Sequence, residues 1–423
     1  MFYLWTCSKP YCFSYVDSTS ITTFMEGEYT YIDHDDEVFD DEWYFVGEDD
    51  QEEDQNNNNN GGGFGSLFPN IDRDNSVACL VRCSRSDYGA LSAVNRSFRA
   101  LIKSGEIYRL RRTNGVAEHW VCFSCSLGEE WDVFDPESGS WRPHLPPMGS
   151  NEIFMCADKE SLGVGTDLLV VGREMHSPVI YRYSVVTNAW SSARTMTETR
   201  WLFGSASLGE IGIVAGGCNA VGDIVNTAEL YNSDTGSWTP LPRMNKARKM
   251  CSAVFMDGKF YVVGGLGPSA RHKNNRLLTC GEEYDLEAGT WRVIPHMSPL
   301  SNIGNGGGRT IESGAPPLIA VVDDQLYAAD HRSMVLKKYE KGTGEWVSIG
   351  WLPRSTCSVN GWGMAFRACG KRLIVISGPR TNTGTGLIEI NAWAPSDGPR
   401  VKWTLLGRKF SNNFVYNCAI MAC

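Results

Sequence analysis

Six tryptophans constrain this chain more than any other feature. Trp141, Trp190, Trp238, Trp291, Trp346 and Trp403 recur at gaps of 49, 48, 53, 55 and 57 residues. Seven residues before the first five stand Phe134, Tyr183, Tyr231, Tyr284 and Tyr339, and two before them stand Gly139, Asn188, Gly236, Gly289 and Gly344. Met196, Met244 and Met297 follow the second, third and fourth at a common distance. Upstream, apolar runs end in Val170-Val171-Gly172, Ala215-Gly216-Gly217, Val263-Gly264-Gly265, Ala328-Ala329-Asp330 and Ile376-Ser377-Gly378. A unit of this length cannot bury its apolar face alone, so successive units must pack on one another. Gly or Asn two before Trp supplies the positive φ of a tight hairpin. The aromatic and the Trp on its two arms then pack between neighbouring sheets. Paired glycines at a strand end let backbones approach closely where sheets crowd around an axis.

The pattern resembles kelch repeats, each a four-stranded blade of a β-propeller. Residues 250–265 show a first strand, an Asp257-Gly258 turn and the strand ending in Gly264-Gly265. The blade containing Trp141 lacks such a first strand and begins at Trp120-Val121-Cys122-Phe123. Residues 414–421, Phe-Val-Tyr-Asn-Cys-Ala-Ile-Met, match the missing piece. The expectation is a mainly β chain: a six-bladed propeller over 116–423, closed by the C-terminal strand so that no sheet edge stays open.

Charge divides the remainder. The chain has 423 residues and a formal charge of −10. Residues 1–68 hold 16 Asp/Glu and one Lys, residues 69–115 hold nine Lys/Arg and four Asp/Glu, and residues 116–423 hold 29 of each. The acidic total argues against a nucleic-acid binder held by phosphate contacts. No membrane span is expected, because no run of 18 apolar residues exists. The first residues lack the basic and apolar regions of a signal peptide. Fifteen acids between positions 26 and 54, followed by Gln55, Asn56 to Asn60 and Gly61 to Gly63, predict a disordered arm over 1–66.

Chemistry is sparse. Cys122 and Cys125 form a C-x-x-C on an alternating stretch, where positions three apart face opposite sides, so chelation is not expected. The other cysteines are scattered and read as buried thiols of a nuclear or cytoplasmic protein. Gly304 to Thr310 has Arg309 where a phosphate loop needs Lys. The histidines show no metal-ligand spacing, and no cofactor or catalytic residue is expected.

Between arm and propeller the period changes. Val77, Leu80 and Val81, then Leu91, Val94, Phe98, Leu101 and Ile102, sit at helical spacing, and the second set predicts one helix with a single apolar stripe. Ser86 or Asp87 can cap it and Gly105 can end it. Ile107, Tyr108 and Leu110 form a third short group. So few residues seldom fold alone, which suggests a small helical adaptor or a cap on the next domain. The stretch from Leu67-Phe68-Pro69-Asn70-Ile71 through Leu91, Val94, Arg96, Phe98 and Arg99 resembles the F-box. It departs from that motif at Asp72, where Pro is usual, and at Phe98, where Trp is usual.

An F-box-like module at 67–115 followed by six kelch-like repeats resembles the F-box/kelch-repeat proteins abundant in plants. The resemblance implies the substrate receptor of an SCF ubiquitin ligase. The module would bind a Skp-type adaptor, and through it cullin and RING subunits, while the propeller holds an unidentified target protein. By the motif, Ile71, Leu80, Val81, Leu91, Val94, Phe98 and Leu101 would face or support the adaptor. The alternatives are a propeller scaffold that works without a ligase, and a kelch-type metalloenzyme.

In a four-stranded meander, alternate turns emerge on opposite faces. Those at Asp234-Thr235-Gly236, Asp257-Gly258 and Asp323-Asp324 are short, whereas connections at 173–178, 218–226, 266–278, 298–314, 331–334 and 379–385 are longer. Long loops on one face of a rigid scaffold are where binding is expected. Arg173, Arg200, Lys249, Arg271, Arg309, Arg332 and Arg380 lie in or beside connections on that face, a set suited to an acidic or phosphorylated segment.

Overall fold

Four of the repeat tryptophans, Trp190, Trp238, Trp291 and Trp346, stack on their hairpin partners and also tie their blades to the ones before; Trp141 shares the stacking and Trp403 the tie. The ring centroids of Phe134–Trp141, Tyr183–Trp190, Tyr231–Trp238, Tyr284–Trp291 and Tyr339–Trp346 lie 5.1, 5.5, 5.0, 4.9 and 5.2 Å apart. The indole N–H of Trp190 donates to the Pro146 carbonyl at 2.7 Å, Trp238 to Arg194 at 2.8 Å and Trp291 to Pro242 at 2.8 Å. Trp346 donates to Met297 at 3.1 Å and Trp403 to Trp351 at 2.8 Å. Each acceptor belongs to the chain leaving the preceding blade. This second role explains why the position is Trp rather than Phe: only the indole pairs that carbonyl while burying a large apolar face.

The structure, a computed structural model, describes residues 67–68, 70–125, 130–149, 155–174, 177–269, 275–299, 314–378, 386–398 and 400–423. The acidic arm expected over 1–66 lies outside these residues. The propeller consists of six four-stranded antiparallel sheets. Blades two, three, five and six each take four consecutive strands, beginning at Met155–Val164, Gly204–Leu208, Ile319–Val322 and Met364–Cys369. Blade four is built the same way from Ser252–Met256, with an extra hairpin, Leu266–Gly267 with Arg276–Leu277, in its long connection.

Blade one closes the ring as expected. Its innermost strand is the C-terminal Asn417–Ala422, paired antiparallel with His119–Ser124 from His119↔Ala422 to Ser124↔Asn417. The hairpin positions Gly139, Gly236, Gly289 and Gly344, and Asn188 among them, all carry positive φ. Gly217 shows why glycine ends the second strand: a Cβ there would sit 2.5 Å from the Trp201 carbonyl oxygen of the incoming link.

The helical segment differs from its expected form at Asn95 and at the expected cap. The helices are α1 (Arg73–Leu80), α2 (Tyr88–Val94), α3 (Arg96–Lys103) and α4 (Glu106–Thr113), with a 3-10 turn at Arg85–Asp87. Asn95 breaks the expected single helix. Its backbone is extended, and its side chain caps α3 by accepting the Phe98 N–H at 2.8 Å. An Asn in helix context competes for its own backbone in this way. Gly105 separates α3 from α4 at φ 75°. Asp87 makes no capping bond, and Ser84 caps the 3-10 turn instead.

Candidate functional site

The helices pack on the short-turn face of the first three blades. Leu80, Val81, Phe98, Leu101 and Ile107 share one buried cluster with Trp131, Leu168, Tyr183, Met421 and Cys423 of the propeller. Arg111 on α4 is buried at the centre of the joint. Its Nε donates to the Cys423 carbonyl (3.2 Å), its Nη1 to the Val81 carbonyl and the Tyr88 hydroxyl (both 3.0 Å), and its Nη2 to Glu118 (2.9 Å). Burial raises the Tyr88 phenol, with Arg111 opposing the shift. Arg112 pairs with Glu210 and donates to the Ala422 carbonyl at 3.1 Å, and Arg109 pairs with Asp234 at 2.5 Å. The guanidinium of Arg85 lies 3.5 Å from the centroid of the Trp120 ring. Below this joint, burial pushes the Asp167 carboxyl up to about 6 against the opposing pull of Arg182. The positive balance of residues 69–115 is therefore matched by carboxylates of the face it covers.

The seven apolar residues of the F-box resemblance divide. Leu80, Val81, Phe98 and Leu101 are buried in the shared core and Leu91 packs partly against it. Ile71 and Val94 remain exposed, at 41% and 66%. The break at Asn95 accounts for Val94: as the last residue of α2 it no longer continues the stripe of α3. Around it Ala90, Ala93, Arg96 and Arg99 are also exposed. The module thus keeps a small apolar edge bordered by cations.

On the long-loop face, Arg173 and Arg332 are exposed and Lys249 is half-buried, its backbone paired with Leu266. Arg271, Arg309 and Arg380 lie outside the described residues. Arg200 is a correction: its side chain is fully buried and paired with Glu229 at 2.6 Å, so it is not available to a ligand. The Glu229 carboxylate also accepts the N–H groups of Thr197 (2.7 Å) and Glu198 (3.1 Å), and Arg200 Nη1 donates to the Thr227 carbonyl at 2.7 Å. Blade four repeats the device. Arg248 pairs with Glu282 at 2.6 Å and donates to the Gly264 carbonyl at 2.9 Å, while Glu282 accepts the N–H groups of Asn245 (2.7 Å) and Lys246 (3.0 Å). Each pair clamps an incoming link to the middle of the next blade.

The sequence held a signal for both clamps. Arg200 and Arg248 each stand ten residues after a repeat Trp, and Glu229 and Glu282 two before a repeat Tyr. It held none for Arg111, whose partner Cys423 is 312 residues away. Cys122 lies in the cluster shared with the helices and Cys125 packs against the cluster between blades one and six, on opposite sides as expected. Burial pushes the Cys125 thiol up to about 12. Among the described residues no group of three or more His, Cys, Asp or Glu could hold a metal ion, and no helix is long and apolar enough to cross a membrane.

The family model for the Kelch motif matches residues 202–245 and 247–298, the two blades that carry the buried Arg–Glu clamps. The chain is also similar to an Arabidopsis thaliana protein named F-box/kelch-repeat protein At1g26930, 58% identical over 360 residues covering 85% of this chain and 84% of the relative. The chain belongs to the F-box/kelch-repeat family. Two further F-box/kelch-repeat proteins of the same plant agree. SKIP11 is 57% identical over 85% of this chain and 75% of its own length, and At1g74510 is 52% identical over 84% and 78%. These alignments are too long for the propeller alone, so F-box/kelch kinship extends over the helices as well.

Proposed function

We propose that this chain is the non-catalytic target-recognition subunit of an SCF-type ubiquitin ligase, acting in the nucleus or cytoplasm. Its helical module binds a Skp-type adaptor, which joins it to cullin and RING subunits, and its propeller holds a target protein for ubiquitination and proteasomal degradation. A receptor of this kind does no bond chemistry. It raises the effective concentration of a target lysine near the charged conjugating enzyme.

The observation that carries this reading is the exposed edge at Val94 on a module otherwise fused into the propeller. A helical cap needs no such edge; an adaptor-binding module does. The joint is on the short-turn face, which leaves the long loops on the opposite face free for a target. The test is capture of a purified Skp-type adaptor by the full chain and by its Val94→Asp variant. A charge on an exposed residue changes folding stability by less than about 0.5 kcal/mol, so melting is unchanged. A charge inside an apolar interface without a partner weakens capture by about tenfold or more. Equal capture by both chains contradicts the assigned edge. No capture by the parent chain leaves the propeller scaffold as the surviving reading.

A further inference from the structure

The propeller has a formal charge of zero, yet its charges are sorted by face. On the long-loop face Arg173, Arg194, Arg243, Arg276, Arg332 and Arg354 are all exposed. Among the described residues none of the six has a carboxylate within ion-pair distance. Glu130 and Asp223 are exposed on that face, two acids against six arginines, and other carboxylates there are engaged. Asp330 pairs with Lys337 at 2.8 Å; although burial raises its carboxyl, Lys337 and Ser333 outweigh that and hold it down at about 2. Glu174 accepts from the Tyr181 hydroxyl, and Glu198 accepts from Thr227 at 2.6 Å. The opposite face presents exposed acids instead, at Glu137, Asp234, Asp257, Glu287, Asp323 and Asp324.

At the centre of the cationic face the propeller axis opens into a small hollow of about 50 Å³. Leu202, Phe203, Pro316, Pro317 and Trp362 line it together with the polar Glu160, Ser205, Ser252 and Arg367. Arg332 lies beside this opening: a Cβ added at Gly314, two residues before Pro316, would be 3.8 Å from its Nη2. The rim is also braced in a costly conformation. Leu202 and the equivalent Met250 hold φ values of 62° and 54°, and the Met250 N–H donates to the Leu202 carbonyl at 2.7 Å. Backbone strain of this kind in non-glycine residues gathers where a surface is held in shape for a ligand. Leu202 and Met250 rest on a small apolar cluster with Cys218 and Leu266, so the rim is preformed.

From this arrangement we infer that the target segment is acidic and lies across the mouth of the central hollow, its carboxylates meeting the surrounding arginines. The inference rests on the receptor reading above and adds the chemistry of the segment it receives. An excess of cations confined to one face of a chain of formal charge −10 suits an acidic peptide segment, whereas the net charge opposes a long nucleic-acid backbone.

The test is selection of a random dodecapeptide display library on the full chain. Enriched peptides are expected to carry an excess of Asp and Glu. They bind the Arg332→Glu/Arg354→Glu chain about tenfold or more weakly. Arg400→Glu/Lys402→Glu, two exposed cations on the opposite face, changes binding by less than about twofold. Melting of each variant confirms the fold. Enrichment of neutral or basic peptides, no enrichment at all, or equal losses in the two variants overturns the inference. So does a labelled single-stranded oligonucleotide that binds more tightly than the best peptide. Adaptor capture is measured on the same preparations. Captured adaptor without acidic-peptide binding removes this inference and leaves the receptor reading. Acidic-peptide binding without adaptor does the reverse.

Discussion

A chain lacking residues 412–423 is expected to lose the cooperative melting transition of the full chain and, with it, the fixed position of its helices. The deletion removes the innermost strand of blade one, Asn417–Ala422, which is paired along its whole length with His119–Ser124. It exposes the partners of Val415, Cys418, Ala419, Met421 and Cys423, all buried. At roughly 1–3 kcal/mol for each larger side chain, the loss is comparable with the whole stability of a typical domain, about 5–15 kcal/mol. The shortened blade also presents an open strand edge, which invites association between chains. The effect reaches the module because Arg111 and Arg112 donate to the carbonyls of Cys423 and Ala422. Thermal unfolding followed by circular dichroism, with limited proteolysis of the helices, measures both consequences. An unchanged midpoint with protected helices would contradict the closure.

The second large effect is expected at the buried clamps. Arg248→Met removes a guanidinium that is paired with Glu282 and donates to the Gly264 carbonyl, and leaves that carboxylate without its counter-charge. Breaking a buried pair from one side costs about 3–5 kcal/mol. Arg332→Met, in an exposed turn, costs less than about 0.5 kcal/mol. Changing both partners, Arg248→Met with Glu282→Leu, restores only part of the loss, because the N–H groups of Asn245 and Lys246 then have no acceptor. Urea unfolding of the parent chain and the three variants reads these differences directly. A loss of under 1 kcal/mol for Arg248→Met would show that the clamp contributes little.

The propeller was legible because each repeat mark solves a local geometric problem that recurs in every blade. The Trp, its aromatic partner and the positive-φ residue between them define a hairpin whatever surrounds it. The closing strand was legible by subtraction: one blade lacked a first strand and the C-terminus supplied one. Legibility failed where a residue's role depends on a partner that no periodicity reveals. Arg200 has the charge and loop position of a ligand-binding residue, and only its proximity to Glu229 marks it as structural. Its tenth place after Trp190, matched by Arg248 after Trp238, was the available clue.

The helices failed differently. Leu91 to Ile102 fit one stripe, but Asn95 prefers to cap rather than to continue a helix. That break turns Val94 outward and so creates the edge on which the proposed function depends. The partition of charge along the chain also gained a spatial meaning. Basic helices cover acidic short turns, and on the uncovered long-loop face six exposed arginines have no ion pair among the described residues.

The most direct measurement of the central claim is a calorimetric titration of the purified full chain with a Skp-type adaptor. The account predicts saturable binding of one adaptor per chain, lost when Val94 is replaced by Asp and unchanged when Arg332 and Arg354 on the opposite face are replaced by Glu. Absence of binding by the parent chain, or equal binding by the Val94→Asp chain, would contradict it.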